Sequence, residues 1–196
     1  MTVIDSALTT VRSTLAGVLG AAGGPFDSSG QVRLAQLTID PDPRVPGGTK
    51  LLQAGKHFHA LVRTAAADTD EATVRTLSIK IRDAYGSGRD QDFLFASSAD
   101  GVPFHHLTLP AASEDERLYS SLWIYLAGLR PVLFGARATG ADEYEFLLSD
   151  VIGRFRRIGV LHLGTPMDDG HDVDFAARNS GGGLRPLPPV SLYNAG

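Results

Sequence analysis

The stretch "HFHALVRTAAADTDEATVRTLSIKI", His57 to Ile81, reads as two strands joined by a polar turn. It holds two runs, HFHALVR (57–63) and TVRTLSIKI (73–81), in which apolar residues alternate with polar ones around a polar link. Successive side chains of a strand point to opposite faces. Phe58, Ala60 and Val62 therefore share one face, and His57, His59, Leu61 and Arg63 share the other. Two histidines and an arginine on a core-like strand have a plain explanation, a solvated sheet face. The sharper reading, carried forward as the expectation, is a face that lines a cavity.

The pattern repeats outward from this hairpin. "QVRLAQLTI" (31–39) reads as a strand, followed by the Pro- and Gly-rich turn region "DPDPRVPGG" (40–48). Beyond the hairpin come a turn, "DAYGSGRDQ", a short strand, "DFLFASS" (92–98), and a second apolar run, "ADGVPFHHLTLP" (99–110). "PVLFGARAT", "EYEFLLSD" and "RIGVLHLG" also have strand character. Two segments read instead as helices. In residues 1–24, Val3, Ile4, Ala7, Leu8, Val11, Leu15, Val18 and Leu19 recur at three- and four-residue steps, up to the stop at Gly23, Gly24 and Pro25. In 114–127, "EDERLYSSLWIYLA", the Ser113/Glu116 pair is a capping-box signature, and Leu118, Leu122, Tyr125 and Leu126 form a stripe. From Thr165 to Gly196 the periodicity fades, and an irregular tail over the body is expected. Many short strands with few helices predict one α+β domain over 1–196, mainly antiparallel β and closed as a barrel or sandwich.

Composition bounds the function. A length of 196 residues with 43% hydrophobic and 20% charged content is that of an ordinary globular domain. The net charge of -4 argues against a nucleic-acid partner, which needs a concentrated basic surface. With no cysteine there is no disulfide framework, thiol nucleophile or iron–sulfur site, which fits a cytoplasmic protein. No apolar run reaches the ~18 residues of a membrane span, and the N-terminus lacks a basic leader region. GxGxxG after a strand, GxSxG, HExxH and the phosphate-binding loop pattern are all missing.

One resemblance stands on ordered residues: Gly55-Lys56, Val62-Arg63, Asp68, Arg75, Lys80, Asp92-Phe93 and Pro103-Phe104. In that order they resemble the N-terminal barrel segment of the haem catalases and the related allene oxide synthases. The whole chain is also similar to short actinobacterial catalase-like proteins, through "DFLFASS", "YSSL", "PVLFGAR", "RIGVLHL" and "GLRPL". The resemblance implies a catalase-like β-barrel. In the haem-binding family a distal His and Asn handle peroxide, and a proximal Tyr near an Arg binds iron. Here Asp27 and Ser28 stand near the place of the His, and Ser97 and Ser98 at that of the Asn. The late Tyr193, in "PVSLYNAG", lacks the family's Arg-x-x-x-Tyr pattern. Arg63 alone matches, at the position where the family pairs an arginine with a haem propionate. The departures imply a barrel without that haem chemistry.

The expected function is a haem-free small-molecule enzyme of specialised metabolism, of isomerase, cyclase or lyase type, acting on an apolar oxygenated substrate. Arg63 would hold an oxyanion or carboxylate, and His59 or His106 would move a proton. His57, Phe95, Ser97, Phe104 and Trp123 would contact the substrate. No metal site is expected: His105 and His106 fall on opposite strand faces, and "MDDGHDVDF" lacks the full calcium-loop pattern. Two alternatives remain open at this point. One is a haem enzyme acting on peroxide, N–O or N–N bonds through an unorthodox axial ligand. The other is a non-catalytic ligand-binding or oligomerising barrel, and a homodimer is compatible with all three.

Overall fold

The structure, a computed structural model, describes residues 30–68, 73–98, 118–121, 123–168 and 173–187. Seven strands of eight residues or more carry the architecture: β1 (Gln31–Ile39), β2 (His57–Asp68), β3 (Thr73–Ile81), β4 (Gln91–Ser98), β7 (Arg130–Gly140), β8 (Glu143–Asp150) and β9 (Arg156–Pro166). Three short strands, β5 (Leu118–Ser120), β6 (Tyr125–Ala127) and β10 (Leu184–Pro186), complete the set. Every pairing is antiparallel. The ring runs β1-β2-β3-β4-β5-β7-β8-β9 and returns to β1, so these eight strands close into a barrel. β6 continues the lane of β5 along β7, and β10 pairs on the far side of β6.

The inward face follows from register. Val62 opposes Ile79, which opposes Phe93; Leu77 opposes Phe95; Ala136 opposes Phe146. All of these side chains are 0% exposed. Phe93, Phe95, Phe134 and Phe146 fill the barrel axis, with ring centroids 5.0–6.4 Å apart among the contacting pairs. The wall must also close tightly. A Cβ at Gly159 on β9 would run into the Thr38 carbonyl oxygen of β1, so only glycine permits that approach.

A segment after β9 covers one outer face. Val173, Phe175, Ala176 and Ala177 are buried against the backs of β2, β3 and β4. Asp92 ties this strap down: its Oδ2 accepts from the Ala176 amide at 2.8 Å, Asn179 Nδ2 at 2.9 Å and Lys80 Nζ at 2.9 Å. Covered outside and filled inside, β4 is buried along its whole length.

The expected α+β class is overturned, because no helix occurs among the described residues and these are all-β. The helix expected over 114–127 is replaced at 118–120 and 125–127 by strands. Leu118, Tyr119 and Ser120 find backbone partners on both β4 and β7. Long-range pairing outweighed a four-residue coincidence of apolar spacing in a Tyr-, Trp- and Ile-rich segment that suits strands equally well. The capping pair Ser113/Glu116 and the helix expected over 1–24 lie outside the described residues.

Candidate functional site

The barrel interior changes character at one end. Arg33 on β1 is in phase with Ala35, Leu37 and Ile39, and Arg75 on β3 is in phase with Leu77, Ile79 and Ile81. Both arginines therefore sit on inward-facing rows, one step beyond the apolar core. Thr64, Tyr119, Tyr144 and Leu163 lie on the corresponding inward rows of β2, β5, β8 and β9 near the same end. Together they enclose a cavity of about 300 Å³, with Gln31 and Thr76 completing its polar wall. That volume lies at the small end of the ~300–1,000 Å³ range typical of ligand pockets.

Arg33 is held in place from two sides. Its Nε donates to the Gly164 carbonyl at 2.9 Å, and its Nη1 lies 2.7 Å from Asp142 Oδ1 in the β7–β8 turn. The Tyr119 and Tyr144 rings meet edge to face, with centroids 6.2 Å apart. The Arg75 amide donates to Ser97 Oγ at 3.3 Å, which fixes the floor of the pocket beside Tyr119, the partner of Ser97 in register.

The residues singled out from sequence are scattered by this arrangement. The inward face of β2 is the one with Ala60 and Val62, so the histidine-bearing face points outward. His57 and His59 are exposed on the barrel exterior, where His57 Nδ1 lies 3.0 Å from Thr38 Oγ1. Arg63 is only 7% exposed, yet it is buried outside the wall. Its Nη2 donates to the Val173 carbonyl at 2.7 Å, and its guanidinium lies 4.8 Å above the Phe175 ring. Phe95 belongs to the packed axis, and Trp123 is buried in the link between β5 and β6. Ser97 does not line the pocket, but its Oγ accepts from the amide of Arg75, which does. Phe104 and His106 lie outside the described residues.

Arg63 thus acts as a clamp on the strap, a role with a clear signature. Arg63→Ala should lower the melting temperature by several degrees, since it deletes a buried charge-assisted hydrogen bond worth ~1.5–3 kcal/mol. Binding at the barrel mouth should be unchanged in the same variant. Loss of binding with full stability, measured by thermal melting beside ligand titration, would return Arg63 to the site.

Arg33, Thr64 and Tyr144 belong to none of the motifs read from the sequence, and Arg75 enters there only as a matching position of the resemblance. A usable signal was present: a charge in phase with an apolar face at a strand end. Among the described residues no group of three or more His, Asp or Glu side chains is placed to hold a metal ion. The pocket also does not fit the haem that the catalase-like resemblance brings to mind. A macrocycle needs two broad apolar walls, and among the described lining residues Leu163 is the one large aliphatic side chain. No described helix is long and apolar enough to cross a membrane. No protein-family model matches the chain, and no curated protein matches it with significance.

Proposed function

We propose that this barrel binds a small polar molecule at its mouth and acts on it without haem. The observation that carries this reading is the pocket itself. An otherwise packed aromatic barrel opens at one end into a cavity ringed by two arginines, two tyrosines and two threonines. A few convergent polar groups against a rigid apolar scaffold are the usual make-up of a small-molecule site. Strand ends hold such groups more firmly than loops do.

The chemistry available to these side chains is limited and specific. The guanidinium groups of Arg33 and Arg75 can stabilise an oxyanion that develops on the substrate. A tyrosine hydroxyl at Tyr119 or Tyr144 can pass a proton to or from it. Holding the substrate in one reactive pose adds to both. These elements suit the isomerisation, cyclisation or elimination of an oxygenated substrate, and the histidines of β2 have no part in them.

Filling the pocket tests the assignment. Thr64→Trp places an indole in the cavity from a wall that is already half-buried. Wild-type protein should show ligand-induced thermal stabilisation with members of a panel of small acids, amides and alcohols, and the variant should show none. Equal responses from the two proteins would remove the pocket from consideration. The purified protein should also lack a Soret band, and a band at full occupancy would overturn the haem-free reading.

A further inference from the structure

The ion pair at the rim says what kind of molecule the pocket takes. Arg33 is 22% exposed and Asp142 60% exposed, so their 2.7 Å contact faces water on one side. Exposed pairs of this sort contribute little, because solvent screens them and both side chains lose freedom. Exchange of the aspartate for another anion therefore costs little. Two features keep the rest of the rim in place during such an exchange. The Arg33 Nε stays on the Gly164 carbonyl, and the Asp142 carbonyl accepts from the Leu163 amide at 2.8 Å. The turn backbone is thus fixed to β9, and only the carboxylate has to swing away.

We infer that the ligand carries a carboxylate or phosphate group that takes Arg33 over from Asp142, which acts as a built-in competitor for the site. This inference rests on the reading of the barrel mouth as the binding site and narrows it to an anion class. Two guanidinium groups line one small cavity, while no acidic side chain lines it among the described residues. A planar oxyanion matches the forked donors of arginine better than a neutral carbonyl does. Ala141, the residue before Asp142, is itself part of the cavity wall, so the competing carboxylate stands at the entrance. The Tyr119/Tyr144 ring pair offers the other end of the ligand an aromatic surface. The expected ligand is then a small acid with a flat, unsaturated body.

Titration of the full chain with benzoate, phenyl phosphate and benzamide, followed by calorimetry, tests this. The two anions share the recognised charge and differ in the group that bears it, so their relative affinity separates carboxylate from phosphate. Benzamide keeps the ring and removes the charge. Wild-type protein should bind at least one anion and bind benzamide at least tenfold more weakly. Asp142→Asn should tighten anion binding about two- to fivefold, the range expected when an exposed competing pair is removed. Arg33→Gln should abolish it. Benzamide binding as tight as that of the anions would overturn the inference, as would anion affinity in Asp142→Asn that is unchanged or weaker. In either case a neutral ligand still displaced by Thr64→Trp would leave the pocket reading standing. No binding of any of the three probes, to wild type or to Asp142→Asn, would sink both together.

Discussion

Replacing Asp92 by alanine is expected to destabilise the barrel by about 3–5 kcal/mol, the usual cost of breaking a buried ion pair from one side. Asp92 is 0% exposed, and its Oδ2 serves three donors at once. Alanine would leave the Lys80 ammonium, 6% exposed, with Asp90 Oδ2 at 3.3 Å as its remaining carboxylate partner among the described residues. It would also strip the acceptor from the Ala176 amide and the Asn179 side chain. For a chain of this size the loss corresponds to a fall in melting temperature of roughly 10–15 °C. The double variant Lys80→Met/Asp92→Leu should recover most of it, because apolar replacements of a buried pair are often neutral. A double variant as unstable as Asp92→Ala would mean that the strap, through Ala176 and Asn179, matters more than the lysine.

The same carboxylate gives the fold a pH dependence with a definite sign. Burial pushes the Asp92 carboxyl above the ordinary aspartate range, against the Ala176 amide, Lys80 and Asn179, which pull it down. Its second oxygen, Oδ1, is buried without a hydrogen-bond partner among the described residues, which keeps the desolvation cost high. An acid raised in the folded state contributes most below its unfolded pKa, and that contribution is lost as pH rises through the folded value. The wild type should therefore lose some stability across that window. The Lys80→Met/Asp92→Leu variant should lack this step in denaturation curves taken from acid to neutral pH.

How much of this was legible beforehand varies along the chain. "TVRTLSIKI" and "EYEFLLSD" coincide with β3 and β8, because strict alternation between turn signals leaves few other readings. The sense of β2 was not legible. Leu61 is as buried as Ala60, so both faces look like core, and alternation alone cannot say which one turns inward. What hides Arg63 is a strap more than a hundred residues further on, as the Arg63–Val173 bond shows. β5 and β6 have three residues each, too few to display a period, so a helical stripe in the same segment looked convincing. The site was misplaced for the same reason as the face. Once Val62 turns inward, so does Arg33, its partner in register, and the arginines that line the barrel mouth are those of β1 and β3.

The placement of the site at the mouth depends on the barrel axis being closed, and Phe93 is the residue that tests it. Its ring lies 5.0 Å from Phe134, 5.3 Å from Phe146 and 6.0 Å from both Phe95 and Tyr125. Phe93→Ala should cost about 3–5 kcal/mol, from lost burial plus a cavity that its neighbours cannot fully collapse into. The void would be lined by the rings of Phe95, Tyr125, Phe134 and Phe146, and cavities with mainly apolar walls stay dry and accept small apolar guests. Benzene should accordingly raise the melting temperature of Phe93→Ala and leave the wild type unchanged. The order of effects separates two architectures. A closed axis gives a large loss, rescue by benzene, and anion binding at Arg33 that survives in the folded variant. A cost below ~1 kcal/mol, or benzene binding to the wild type, would mean that a cavity already runs through the barrel centre. A substrate could then reach past Arg33 and Arg75 toward Phe95, and the mouth would be only the entrance to a deeper site.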